Sequence, residues 1–207
     1  MELQDIFDQL TYGELANLSI GGSDSGGISL DNTPKIISHT NMAIQSLHTK
    51  FHLIEEELVI ILIEGATEYE VDTNLITAVF NEKGERLGFN DVNDPNSIFM
   101  PKWDYIQVPE TVDATELHLK YYPKPVKIAL NAVVADTTVD LPEMLLEPLL
   151  AYIASRVYSS MGGIENIQEG LSYMSKYELL CLQLKNANIL NNLSQNTNIK
   201  LEKRGWL

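Results

Sequence analysis

His48 and His52 stand four positions apart in a helical stretch, a spacing that sets two imidazoles on one helix face, and Glu55-Glu56-Glu57 follow closely. A zinc hydrolase would need a general-base Glu directly after the first histidine and a third ligand elsewhere. Position 49 is Thr, and no third ligand is evident. The pair therefore reads as a polar helix face or a subunit contact, and no metal is expected. Asp91, Asn93 and Asp94 resemble the start of a calcium loop, but Pro95 and the missing glycine and closing Glu break the pattern, leaving at most a weak adventitious cation site. Gly21-Gly22 and Gly26-Gly27 lack both a preceding strand and a following Lys-Ser/Thr, so a phosphate cradle fails on context and a loop is expected. Cys181, the one cysteine, sits among Leu179, Leu180, Leu182 and Leu184 and reads as a small core hydrophobe in a protein folded under reducing conditions. No serine occupies a nucleophile elbow, and His39 and His118 have no recognisable partners. No catalytic residue, cofactor or enzyme activity is expected.

The charge is more telling. The chain of 207 residues carries a net −15, with −4 over residues 1–54, −10 over 55–139, −3 over 140–190 and +2 over 191–207. Affinity for nucleic acid rests on Lys and Arg neutralising phosphates, so specific DNA or RNA binding is not expected, and acidity at the least keeps the chain soluble. The Asn/Ser/Gln-rich stretch 191–199 leads into Lys200-Leu-Glu-Lys-Arg-Gly-Trp-Leu207, a basic-aromatic segment that adds little to a core and is suited to docking on a partner. The opening Met1-Glu-Leu-Gln-Asp5 is acidic where a secretory leader would be basic, and the longest apolar run, Leu58 to Ile63, is far too short to span a bilayer.

These segments need elements to hold them. Leu3, Ile6, Phe7, Leu10, Leu15 and Leu18 recur at helical steps and predict a helix over residues 1–18. Thr33-Pro34 opens a second helix, with Thr33 as its cap, whose stripe Ile37, Ile44, Leu47 and Phe51 runs to about Ile54. Leu58 to Ile63 predicts a strand buried on both faces. Short strands follow to about Val134, among them a hairpin turning at Gly84 and the alternating Glu116–Tyr122, with Tyr121 and Tyr122 half core and half surface. Pro101, Pro109, Pro123 and Pro125 are expected at strand ends. Asp140-Leu-Pro-Glu143 resembles a capping box opening a third helix, in which Pro148 predicts a kink or a later start. Met161-Gly162-Gly163 closes it, and a fourth helix runs to about Leu190. The expected fold is α+β: a four-helix bundle from residues 1–54 and 140–190, an antiparallel β domain inserted at 55–139, and an extended C-terminal tail at 191–207.

In this order, Thr11-Tyr-Gly-Glu-Leu15, the helix Ile37 to Phe51, Gly65-Ala-Thr-Glu-Tyr-Glu-Val-Asp72, Val108-Pro109, Leu117-His-Leu-Lys-Tyr-Tyr-Pro-Lys-Pro125, Leu141-Pro142, Ala154-Ser-Arg-Val-Tyr-Ser-Ser160 and Gly205-Trp-Leu207 span nearly the whole chain. Together they resemble the head-to-tail adaptors of short-tailed bacteriophages, the tail-tubular-A-like connector family. Asp136 to Asp140 and the glycine loop at 21–27 have no counterpart in that pattern. The resemblance implies a structural virion protein, made in the host bacterial cytoplasm, whose copies form a ring, usually twelvefold, between the portal protein and the tail nozzle or tail tube and continue the DNA channel. It implies that Lys200, Lys203, Arg204, Trp206 and Leu207 anchor the tail on the portal, and that part of the β block and the helix-helix loops face the phage tail. The other readings are another virion ring, such as a head-completion or tail-terminator protein, an acidic DNA mimic, and a metal-dependent hydrolase built around His48 and His52.

Overall fold

A computed structural model describes residues 1–16, 18, 28–73 and 75–187 of the chain. The chain divides into two compact units, a helical one of residues 1–51 with the chain from Pro125 onward, and a β unit of His52–Lys124. It is mixed α+β.

In the helical unit α1 spans Leu3–Tyr12, α2 Thr33–Phe51, α3 Leu146–Met161 and α4 Ile164–Asn186, and α3 is packed against each of the other three. Its sequence explains this position. Leu149, Leu150, Ala151, Ile153, Ala154, Ser155, Val157 and Tyr158 are all buried, so apolar or small residues surround most of the helix. Pro148 lies in its first turn, where a missing N–H costs nothing, and the start is indeed displaced, behind a 3-10 turn at Glu143–Leu145. No side-chain cap opens that turn, so Asp140-Leu-Pro-Glu143 is not a capping box. Gly162 and Gly163, with φ of 72° and 82°, reverse the chain between α3 and α4 in a left-handed conformation that a Cβ would strain. Gly170 on α4 then lets the two helices close: a Cβ there would lie 2.5 Å from Ser159 Oγ and 3.0 Å from Ser155 O.

Three helix boundaries differ from expectation. The first helix stops at Tyr12 rather than Leu18, because the Gly13 N–H bonds to Gln9 O at 2.8 Å and the Leu15 N–H returns to Leu10 O at 2.9 Å, turning the chain while still burying Leu15. Thr33 is already helical and donates its hydroxyl to Ser29 O. The second helix ends at Phe51, since His52 has φ of 50° and leaves the helical path. Residues 125–139, expected with the β block, lie in the helical unit. Asn41 of α2 clips the segment by bonding both the N–H and the C=O of Ile128 at 2.9 Å, and Thr137 and Val139 pair with Leu3 and Met1 as a short antiparallel bridge.

The β unit holds two antiparallel sheets. β1 (Glu56–Ile61), β7 (Glu116–Tyr122), β3 (Leu75–Asn81) and β4 (Arg86–Leu87) lie in that order in one. β2 (Glu68–Glu70), β6 (Tyr105–Gln107) and β5 (Phe99–Lys102) form the other. Val71, Ile76, Val79, Ile98, Ile106, Val108, Leu117 and Leu119 form its core, each fully buried side chain contributing roughly 1.5–3 kcal/mol. The predicted hairpin at Gly84 is present, with φ of 77° and Val79 opposite Leu87. β1 is an edge strand rather than one covered on both sides: Leu58 and Ile60 pack inward, while Val59 and Ile61 are exposed. The β-branched run set its strand character, but which face of the sheet meets the core set its burial. Pro101 lies within β5 rather than at an end, which is tolerated because β5 is an edge and its register to β6 is irregular there.

Gly170→Ala should separate α3 from α4 and lower stability by about 1–3 kcal/mol in a thermal or chemical melt, whereas Ala at the exposed Gln168 should change it little. Equal melts for the two variants would show that close approach at Gly170 is not needed.

Candidate interaction surface

Lys200, Lys203, Arg204, Trp206 and Leu207, the residues expected to anchor on a portal, lie outside the described residues, as does the glycine loop at 21–27. Within the described residues the histidine pair is not one constellation. His48 is buried in the helical unit beside Asp140, while His52, beyond the helix end, stacks on Tyr122 with ring centroids 4.3 Å apart. Among the described residues no group of three or more His, Cys, Asp or Glu side chains is placed to hold a metal ion. Asp91 and Asp94 point their carboxylates at their own loop, accepting the N–H groups of Asn93 and Asn96 at 2.9 Å. Cys181 is buried, and burial pushes its thiol above the ordinary value, the inert state expected of a core residue.

The acidic β unit carries fifteen Asp and Glu against five Lys and Arg, a net −10. Its densest run, Glu55-Glu56-Glu57, is distributed by strand alternation. Glu57 meets His118 Nδ1, Glu55 lies 3.7 Å from Lys120 Nζ and accepts from the Thr77 hydroxyl, and Glu56 accepts from the Tyr121 hydroxyl at 2.8 Å. His118, which had no partner in the linear sequence, gains Glu57 only through the pairing of β1 with β7. The β1–β7 edge thus carries cross-strand contacts on both faces, Glu55 and Glu57 on one and Glu56 on the other, between partly exposed side chains and of modest energetic value. Tyr69 closes the neighbouring turn: its hydroxyl accepts from the Ile63 N–H at 2.8 Å and lies 3.1 Å from Ala66 O. A cleft of about 560 Å³ opens beside it, lined by Leu62, Glu64, Val108, Glu110 and Thr115 among others, and holds no nucleophile with a base.

Trp103 was not singled out in the sequence, yet it is 70% exposed at the β5–β6 turn, beside Lys102, whose ammonium sits 5.5 Å over the Tyr105 ring. The signal was available: an aromatic between Lys102 and Asp104 in a two-residue turn has no core to enter. Trp is enriched among the hot-spot residues of interfaces, which makes Trp103 a candidate contact residue.

In the helical unit two stretches far apart in sequence converge. Tyr158 and Tyr173 stack at 5.5 Å, and both hydroxyls donate to Glu14 O, at 3.3 Å and 3.2 Å, while the Glu14 carboxylate lies 3.6 Å from Lys176. The turn after α1 is thereby fastened to α3 and α4. Nearby, Tyr177 bonds Ser46 at 2.7 Å beneath Lys50, which pairs with Glu178. Burial raises the Tyr177 hydroxyl far above its usual value, keeping it neutral.

No protein-family model matches the chain, and no curated protein matches it. No helix among the described residues is long and apolar enough to cross a membrane.

Two predictions follow from these contacts. Burial lowers the pKa of His39, with Arg156 and Lys35 adding to the effect, and burial lowers that of His48 against an opposing pull from Asp140. A histidine held neutral in the fold takes up its proton more readily when unfolded. Stability is therefore full above the ordinary value of 6.5 and falls as pH drops through it toward the lowered folded-state values. Melts between about pH 7 and pH 5 should show that fall, and His39→Phe should flatten it; an unchanged slope in the variant would exclude His39 as its source. Separately, Tyr69→Phe should cost the β unit about 1–2 kcal/mol by leaving the turn at 63–66 without its hydroxyl, as read from hydrogen exchange at Ile63.

Proposed function

We propose that the protein is a head-to-tail adaptor of a short-tailed bacteriophage: a structural ring at the portal–tail junction of the virion that joins the capsid portal to the tail and continues the DNA channel. In this reading α1–α4 form a four-helix bundle with the β unit inserted between its halves. Its work is mechanical, and no step of chemistry is assigned to it. The observation that carries the reading is the division of charge. A β unit of net −10 presents carboxylates held in a cross-strand network, and Lys200 to Leu207 is a basic-aromatic segment of net +2 at the other end of the charge range. A carboxylate-rich wall repels DNA and lets a genome pass without sticking. Lys200, Lys203 and Arg204 pair with acidic residues of the portal, and Trp206 with Leu207 fills an apolar socket there.

Two further features support the reading. The segments Thr11–Leu15 and Ala154–Ser160, which carry the resemblance, meet at the Glu14 clasp, and the Gly65–Asp72 segment contains the Tyr69 that closes its own turn. A second virion ring, such as a tail terminator, shares the charge argument and is separated by its partner.

Particles assembled with a chain truncated after residue 190 should lose the adaptor, and with it the tail, during purification. Trp206→Ala alone should weaken binding to isolated portal rings by roughly 2 kcal/mol, about thirtyfold. Truncated protein that stays on the portal at wild-type occupancy would sink the assignment of the anchor.

A further inference from the structure

We propose that each copy of this chain adds its residues 199–204 as an antiparallel strand to the free edge of β1 on a neighbouring copy. The proposal rests on the ring reading and names a contact that links the copies of such a ring.

The acceptor is a sheet edge. β1 stands at one side of the order β1-β7-β3-β4, with β7 as its one neighbour among the described strands. The Leu62 N–H bonds to Thr115 O, directly opposite in the register that sets Glu56 against Tyr121. By the alternation of an antiparallel ladder, Glu56, Leu58 and Ile60 share backbone bonds with β7, and the N–H and C=O groups of Glu57, Val59 and Ile61 point away from the sheet. The other edges of the β unit offer less: β4 has two residues, β2 has three, and β5 holds Pro101 and an irregular register. β1 keeps six residues in unbroken register without a proline, and exposes Val59 by 47% and Ile61 by 70%. Such an edge is a template for another strand.

Charge and apolar pattern select the occupant. Along the outer face β1 runs from Glu57 to Val59 and Ile61, acid first and apolar last. Neither Glu56 nor Glu57 meets a Lys or Arg among the described residues: Glu57 has His118, and Glu56 has the Tyr121 hydroxyl. The segment Ile199-Lys-Leu-Glu-Lys-Arg204, outside the described residues, has the opposite order, with apolar Ile199 and Leu201 first and basic Lys203 and Arg204 last. Laid antiparallel with Ile199 against Ile61, it sets Leu201 against Val59, Lys203 against Glu57 and, on the other face, Arg204 against Glu56. Two apolar pairs and two opposite-charge pairs thus form in a single register.

Other registers lose this match. A shift of two residues sets Lys203 against Val59 or Leu201 against Glu57. A parallel strand with Leu201 at Val59 sets Ile199 against Glu57 and Lys203 against Ile61. In the matched register Lys200 and Glu202 lie beside Ile60 and Leu58, where inward charges close the enlarged sheet to a further strand. Twelve residues lead from Ala187 to Ile199, and at full extension they span about 40 Å, which gives the segment its reach to a neighbour. An edge meeting a donated segment is a heterologous contact, the kind that propagates until a ring closes. The neighbouring copy holds the segment where no portal does.

Disulfide trapping tests the contact. Full-length Ile61→Cys and Ile199→Cys chains, one carrying a size tag, are mixed and oxidised with copper phenanthroline, with wild type as the control for buried Cys181. The expected product is a mixed dimer, roughly fivefold above that of Ile61→Cys with Lys200→Cys, whose side chain belongs to the other face. The double variant Ile61→Cys/Ile199→Cys should give a ladder of multimers. Lys203→Glu with Arg204→Glu should lower the mixed yield about tenfold, and adding Glu56→Lys and Glu57→Lys should restore it. In that tail variant the amides of Glu57, Val59 and Ile61 should exchange faster than in wild type. No mixed dimer, an equal yield from Lys200→Cys, indifference to the charge reversal, or closure of the double variant within one chain would overturn the proposal. Native mass spectrometry of the wild type separates it from the ring reading: rings without the adduct overturn this contact alone, and the adduct without closed rings upholds the contact and counts against the ring.

Discussion

The helical unit depends on the close passage of α4 over α3 at Gly170. A helix with buried residues around most of its circumference needs neighbours on several sides, and α3 obtains them from α1, α2 and α4. Of these, α4 comes closest, because a glycine lies over Ser155 and Ser159 where any Cβ would collide. That proximity brings Tyr173 beside Tyr158 and Tyr177 beside Ser46, so the clasp on Glu14 and the contact with α2 both follow from it. A steric allowance at one position organises hydrogen bonds on two sides of the helix.

The β unit solves a different problem. Its core of eight buried aliphatic side chains must stabilise a body of net −10, whose like charges oppose compaction. Strand alternation sends consecutive glutamates to opposite faces, where Lys120, His118 and Tyr121 of β7 receive them one by one. Each contact is weak in water, and their value lies in spacing the carboxylates rather than in summed energy. The exposed Val59 and Ile61, alternating with inward Leu58 and Ile60, show that burial in this unit is decided by which face of the sheet meets the core.

Much of this was legible in the sequence where a feature is local. The stripe of α2, the paired glycines between α3 and α4, and the hairpin at Gly84 are consequences of periodicity and backbone sterics, and the structure has them where spacing puts them. α4 differs, since Ile164, Ile167, Leu171 and Leu182 of its expected stripe are exposed, while Gly170 and Tyr177 are buried alongside Cys181. What was not legible is set by partners distant in sequence. The burial of Leu58 to Ile63 depends on whether anything covers the second face of the sheet, and only Leu58, Ile60 and Leu62 pack on the core. The allegiance of 125–139 depends on Asn41 and on the bridge to residues 1–3. The histidine spacing suggested one face, but the helix ends between His48 and His52, and a four-residue rule holds only while the helix does. For Lys200 to Leu207, composition speaks of a docking partner, and these residues lie outside the described ones.

The stack of His52 on Tyr122 bears on how the chain is threaded. The chain enters the β unit at His52 and leaves it after Lys124, and two rings 4.3 Å apart hold entrance and exit together. The 73 residues of the β unit thus begin and end beside each other, with Glu56 of β1 paired to Tyr121 of β7. The entropy of joining α2 to the remainder of the helices is then met once, inside the inserted unit, and not by the helices themselves. Such an arrangement decouples the two halves of the sequence: the insert can change its surface, its charge or its loops while presenting the same two neighbouring ends, and the helices need not register the change.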